Sequence, residues 1–99
     1  MTIYRLEVKE EVQKDLSKLS STQRMLVYKQ FKKLQSAPEL GDFLGHKAGY
    51  DLSGLRKLYV DRKKIRIVYR IIEMQIVVEV IVVGKREDMA VYAKAAERL

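Results

Sequence analysis

Apolar side chains recur along the 99-residue chain in two periods, and the change between them separates helical from strand-forming stretches. Residues 2–8 set Ile3, Leu6 and Val8 imperfectly between polar neighbours, which predicts a short first strand. From Lys9 the apolar positions become Val12, Leu16 and Leu19, the spacing of one helix face. Ser20-Ser21-Thr22 interrupts that face, and Gln23 stands three residues after Ser20 as a capping box requires. A second helix then runs to about Ala37, with Val27, Phe31 and Leu34 on its buried stripe, until Pro38 stops it. So short a link folds the two helices into an antiparallel hairpin.

Four of the five glycines, at 41, 45, 49 and 54, fall between Pro38 and Gly54, which predicts a long irregular connection. Beyond it the pattern is that of strands: residues 55–60, 64–72 and 76–83 are rich in Ile, Val and Tyr. Turn residues separate them at Asp61-Arg62-Lys63 and near Glu73-Met74-Gln75, so the three should form an antiparallel meander. Gly84 ends the last strand, and Asp88 is placed to cap a final helix with Met89, Tyr92, Ala93, Ala96 and Leu99 on one face. The expected fold is α+β: a single domain over 1–99 made of an N-terminal strand, an antiparallel helix hairpin, a three-stranded antiparallel meander and a C-terminal helix.

Charge adds direction to this outline. Twenty Lys and Arg against 13 Asp and Glu leave +7, an excess that attracts polyanions, nucleic acid foremost. The lack of cysteine excludes disulfides and thiolate metal sites and fits a reducing, cytoplasmic setting. His46 is the one histidine, too few ligands for a metal site, and no cofactor is implied. The longest apolar stretch, 76–83, contains Glu79 and is too short to cross a bilayer, and the N-terminus lacks a signal-like apolar run; no membrane partner is expected.

Seven of the basic residues lie between 56 and 70: Arg56, Lys57, Arg62, Lys63, Lys64, Arg66 and Arg70, with only Asp61 against them. Alternate strand residues share a face, which groups Lys57 with Tyr59, and Arg66 with Val68 and Arg70. A turn over 61–64 pairs Val60 with Ile65 and sets Tyr59 opposite Arg66. A turn at Met74-Gln75 sets Arg70 opposite Glu79 and Arg66 opposite Val83, with Arg86 just past the strand end. Lys57, Tyr59, Arg66 and Arg86 then converge, while Ile65, Ile67, Tyr69 and Ile71 turn towards the helices. Arg70 reads as structural because Glu79 neutralises it, and Arg62, Lys63 and Lys64 read equally well as a solvated turn. Tyr28 and Tyr69 are assigned to the core, and core packing is a competing account of Tyr92. Arg66 stands in an otherwise apolar run, where a cation calls for a partner or a ligand.

The segment Arg66-Ile67-Val68-Tyr69-Arg70, then Val80-Ile81-Val82-Val83-Gly84-Lys85-Arg86-Glu87 and Val91-Tyr92, resembles the RelE-type mRNA interferases of bacterial toxin–antitoxin pairs. The likeness covers nearly the whole chain. Gly-Lys-Arg-Glu followed by a Tyr six residues after the Arg is its most specific part and is similar to the ribonuclease branch of the RelE/ParE superfamily. The resemblance implies a metal-independent endoribonuclease that cuts mRNA in the ribosomal A site and so inhibits translation. A ribose 2′-hydroxyl would attack the adjacent phosphate, leaving a 2′,3′-cyclic phosphate and a 5′-hydroxyl.

On the same resemblance, Arg66 is the phosphate-stabilising arginine, and Arg86 is a second arginine that stabilises charge or assists the leaving group. Tyr92 stacks on an mRNA base, and Lys57 is the first of two strand lysines. The second lysine is Tyr59 here, so a base role falls to Tyr59, Lys57 or a turn lysine, or activity is reduced. Arg56, Arg62, Lys63, Lys64 and Lys85 would hold the RNA backbone. Unperturbed Lys and Tyr titrate near about 10 and Arg above about 12, poorly matched to proton transfer at neutral pH, so a partner must orient the RNA. The resemblance also implies a RelB-like antitoxin in a toxin–antitoxin hetero-oligomer. The alternatives are a ParE-type gyrase inhibitor, with the same fold and a protein target, and a noncatalytic nucleic-acid-binding module.

Overall fold

The structure, a computed structural model, describes residues 2–85 and 90–99. It contains β1 (Arg5–Val8), α1 (Glu10–Ser17), α2 (Ser21–Ser36), β2 (Asp42–Lys47), β3 (Tyr50–Val60), β4 (Ile65–Ile72), β5 (Val77–Lys85) and α3 (Ala90–Glu97). The strands form one sheet in the order β1-β5-β4-β3-β2, with β1 parallel to β5 and the other pairs antiparallel. This is the expected α+β class.

Local chemistry explains the helices. Ser20 Oγ accepts from the Gln23 backbone N–H at 3.1 Å, and the Ser20 N–H donates to Gln23 Oε1 at 3.2 Å, which completes the capping box of α2. Val12 and Leu16 of α1 and Val27, Phe31 and Leu34 of α2 pack with Ile65, Ile67, Tyr69, Val78, Val80 and Val83 on one face of the sheet. Tyr28 lies outside this core, contrary to its expected place in it; it is half exposed, its ring tilted at 58° to Phe31 with centres 6.2 Å apart.

The 38–54 segment is not the irregular connection expected. A short 3₁₀ turn (Pro38–Leu40) leads into β2, and β3 begins at Tyr50, so the meander has four strands. Three of the glycines that suggested a loop occupy left-handed positions, Gly45 (φ +60°), Gly49 (+83°) and Gly54 (+86°). Gly49 lies between β2 and β3, while Gly45 and Gly54 lie within the strands where the register shifts between Phe43 and Gly45. Gly41 permits a different contact. Its N–H donates to Tyr69 Oη at 2.8 Å, Tyr69 Oη donates to the Pro38 carbonyl at 2.6 Å, and a Cβ there would lie 2.5 Å from the Lys57 carbonyl oxygen.

A second irregularity lies in β5. Val68 pairs with Val82 but Tyr69 pairs with Val80, so Ile81 is an extra residue. Val80 and Val83 face α1 and α2, whereas Ile81 and Val82 join the opposite core. The bulge moves Arg66 opposite Gly84, one residue beyond the expected Val83.

The opposite core holds α3. Val91, Tyr92 and Ala95 pack with Leu44, Leu52, Leu55, Val68, Ile81 and Val82. The buried face of α3 is therefore Val91-Tyr92-Ala95; Leu99 is 55% exposed, and the Asp88 cap and Met89 lie outside the described residues. Gly84 does not end β5 but lies within it, where a Cβ would come 2.8 Å from Val91 Cγ2 and push α3 off the sheet.

Asp15 and Arg98 fasten the helices to β5. Arg98 Nη1 donates to Asp15 Oδ2 at 2.7 Å and to the Ile81 carbonyl at 2.9 Å, Nη2 donates to Oδ1 at 3.1 Å, and the Val83 N–H donates to Oδ2 at 3.0 Å. Removing one partner strands a buried charge and a strand N–H. Asp15→Ala is expected to lower the unfolding free energy by about 3–5 kcal/mol in urea denaturation. The double variant with Arg98→Met should lose less than the sum of the two single losses.

Candidate active site

The site lies on the α3 face, where β3 and β4 run side by side. Their tight turn brings Val60 opposite Ile65 and Tyr59 opposite Arg66, the expected register. Asp61, Arg62 and Lys63 all have positive φ, and Gln23 Nε2 donates to Asp61 Oδ2 at 3.0 Å, so the turn is tied to α2.

Arg66 is the centre. It is 5% exposed and has no carboxylate partner among the described residues. Its guanidinium carbon lies 4.5 Å from the Tyr92 ring centre and 5.5 Å from that of Tyr59. Nη2 approaches Tyr59 Oη at 3.5 Å, while Nε and Nη1 are buried without a hydrogen-bond acceptor among the described residues. Rings attract a cation, but each such contact is worth only about 0.5–2 kcal/mol. That does not cover the several kcal/mol an effectively unpaired buried ion costs. Among the described residues, Arg66 is held in place without being satisfied.

Lys57 shares the face and donates from Nζ to Tyr59 Oη at 3.1 Å. Tyr59 is thus flanked by two cations that favour its charged form, and the Lys57 and Arg66 hydrogen bonds pull its hydroxyl down to about 8. Tyr92, expected as a base-stacking ring, is buried at 2% exposure against Arg66.

The other candidates divide. Arg56 points away from the site, donating to the Gly41 carbonyl at 2.8 Å with its guanidinium 3.9 Å from the Phe43 ring centre, because it lies one residue out of phase with Lys57. It holds the chain before β2 and is not brought to Arg66. Arg62, Lys63 and Lys64 are the exposed tip of the turn, and Lys85 ends β5, where with Lys18 and Lys94 it lines a cleft of about 230 Å³. Arg86 lies outside the described residues. Arg70 is structural as expected, donating from Nε to Glu79 Oε1 at 2.7 Å. Two positioning residues escaped sequence reasoning, Asp15 and Arg98. The available signal was an acid on the apolar side of α1, one residue before Leu16.

His46 is exposed with Asp51 at 3.9 Å, and no group of three His, Cys, Asp or Glu side chains among the described residues is arranged to hold a metal. No helix among them is long and apolar enough to cross a membrane.

Comparison with known proteins agrees with this architecture. The sequence profile of the ParE-like toxins of type II bacterial toxin–antitoxin systems matches residues 6–94, and the chain belongs to that family. Within it the chain is of the RelE type. A putative RelE-like toxin protein of Escherichia coli is 29% identical over 99 residues, with 97% of each chain covered. The E. coli toxin RelE, solved in the free state as a double arginine-to-alanine mutant, is 30% identical with a TM-score of 0.80 over 99% of both chains. The toxin–antitoxin complex RelBE of E. coli matches at 29% identity and a TM-score of 0.70, covering 86% of this chain and 99% of that one.

Two measurements probe the site directly. Ultraviolet titration should show one tyrosine ionising near about 8, lost in Tyr59→Phe and moved back up in Lys57→Met. The folded hydroxyl titrates below its unfolded value, so stability should rise with pH between about 8 and 10, an increment that Tyr59→Phe removes. Arg66→Met keeps the stem packing and removes the unsatisfied charge; it is expected to raise the unfolding free energy by about 1 kcal/mol or more.

Proposed function

We propose that this RelE-type toxin is a metal-independent endoribonuclease that cuts mRNA in the ribosomal A site by 2′-hydroxyl attack. The observation that carries the reading is Arg66: a buried guanidinium with Nε and Nη1 unpaired among the described residues, in a chain of net charge +7. Such a group is suited to an anion with several in-plane acceptors, and a phosphate is one. As the 2′-oxygen attacks, charge grows on the phosphoryl oxygens. A donor already desolvated and held beside the Tyr59 ring stabilises that charge with little reorganisation of its own. Arg86 is proposed as a second donor, and Lys57, Lys63, Lys64, Arg62 and Lys85 as backbone contacts that attract RNA regardless of sequence. Tyr92 is proposed to stack on a base, which requires its ring to leave the contact with Arg66.

No histidine or carboxylate joins the Arg66 cluster among the described residues, so orientation must supply much of the acceleration. That is the physical case for a ribosome that presents the message bent. A RelB-like antitoxin in a toxin–antitoxin hetero-oligomer is proposed, a reading the E. coli RelBE neighbour supports, and co-expression rescue of growth tests it.

Mapping mRNA 5′ ends on programmed ribosomes tests the reaction. Wild-type protein should produce A-site cuts ending in 5′-hydroxyls, and Arg66→Ala should cut about 10²–10³-fold more slowly. Undiminished cutting by Arg66→Ala removes the catalytic assignment. Intact mRNA with gyrase-dependent DNA breaks selects the ParE-type function, and RNA binding without cleavage selects a noncatalytic module.

A further inference from the structure

We propose that Tyr59 is the general base of this cleavage, its phenolate oxygen taking the proton from the attacking 2′-hydroxyl. The inference rests on the nuclease reading above and concerns one step within it.

Geometry supplies the first argument. Tyr59 Oη receives a hydrogen bond from Lys57 Nζ at 3.1 Å and stands 3.5 Å from Arg66 Nη2. In RNA the 2′-hydroxyl and the oxygens of the adjacent phosphate are close neighbours, so one group must accept a proton beside another that receives negative charge. Tyr59 and Arg66 offer an acceptor and a cation at that separation.

Chemistry supplies the second. Among the described residues, Lys57 on the same strand and Arg66 on β4 are charged groups that act on Tyr59, with Tyr92 of α3 packed behind Arg66. Both cations favour phenolate, and the hydroxyl sits at about 8, where a base combines useful population with useful basicity. The other candidates fare worse. Arg66 is too basic to give up a proton. Lys57 points its Nζ donor at Tyr59 and serves to hold the phenolate. Lys63 and Lys64 lie solvated in the exposed turn. His46 is on the β2–β3 hairpin beside Asp51.

The step balances without a co-reactant. The phenolate removes the 2′-proton, the 2′-oxygen bonds to phosphorus, and the P–O5′ bond breaks with its electron pair on O5′. That oxygen takes a proton from solvent, leaving a 2′,3′-cyclic phosphate and a 5′-hydroxyl. Tyr59, now a phenol, returns its proton to water, helped by the cations that lowered its affinity for it.

The test is single-turnover cleavage on programmed ribosomes as a function of pH. For wild-type protein the rate should climb with pH and level off near about 8. Ring-fluorinated tyrosine at position 59, which preserves shape but is more acidic, should move that limb to lower pH by the phenol's own shift. Tyr59→Phe should lose the limb and cut about 10²–10⁴-fold more slowly, with KM little changed. A limb that ignores fluorination, or persists in Tyr59→Phe, overturns the assignment of the base and leaves the nuclease intact. Absence of any cleavage by wild-type protein overturns the nuclease reading, and the base with it.

Discussion

Asp15 and Arg98 do for the C-terminal half of β5 what a neighbouring strand does for its N-terminal half. β1 pairs with Val77 to Val80 and then leaves for α1. The edge beyond would hold a bare N–H at Val83 and a bare carbonyl at Ile81, and buried backbone groups left so are costly. The Asp15 carboxylate accepts the first and the Arg98 guanidinium donates to the second, while each neutralises the other. One ion pair thereby joins α1, β5 and the end of α3. Because α3 is pinned at Arg98 and lies close at Gly84, Tyr92 is set against Arg66. The aromatic side of the site is a consequence of that anchoring.

The parts of the fold that local rules decide were legible in the chain. Ser20 and Gln23 announce α2, and the 61–64 turn dictates that Tyr59 opposes Arg66. Elsewhere tertiary structure overrides the local signal. Gly45, Gly49 and Gly54 look like loop residues, but in the sheet they are the left-handed positions that let β2 and β3 bulge and turn. Ile81 is one more apolar residue in an apolar run, and nothing local marks it as the bulge that carries Arg66 past Val83 to Gly84. Arg56 joined the cationic set by proximity in sequence, yet strand alternation sends it to the Gly41 carbonyl. Tyr28 follows Val27 on α2 but is half exposed, turned off the Val27-Phe31-Leu34 stripe that meets the sheet. The position of α3 over the cationic face, the feature that buries Tyr92, depends on a contact between residues 83 apart in sequence.

Arg66 and Arg70 show how one strand treats two like charges differently. They lie on the same face of β4, separated by Val68. Arg70 is bonded to Glu79 at 2.7 Å, and its charge is spent within the protein. Arg66 is deeper and meets tyrosines instead. A carboxylate in their place would satisfy the guanidinium and stabilise the fold, but any phosphate would then have to displace it and pay the repulsion besides. Aromatic rings restrain the side chain while leaving the charge and the donors of Nε and Nη1 unspent among the described residues. Tyr59 has a double part in this arrangement. Its ring helps hold Arg66, and its hydroxyl is drawn down by Lys57 and by that cation. A lysine at position 59 would add a third positive charge beside Lys57 and Arg66, raising the electrostatic cost of the cluster. Tyrosine instead allows the cluster to lose a proton and become less positive near neutral pH. Tyrosine at position 59 therefore carries less repulsion within the site than a lysine would, while keeping a titratable group next to Arg66.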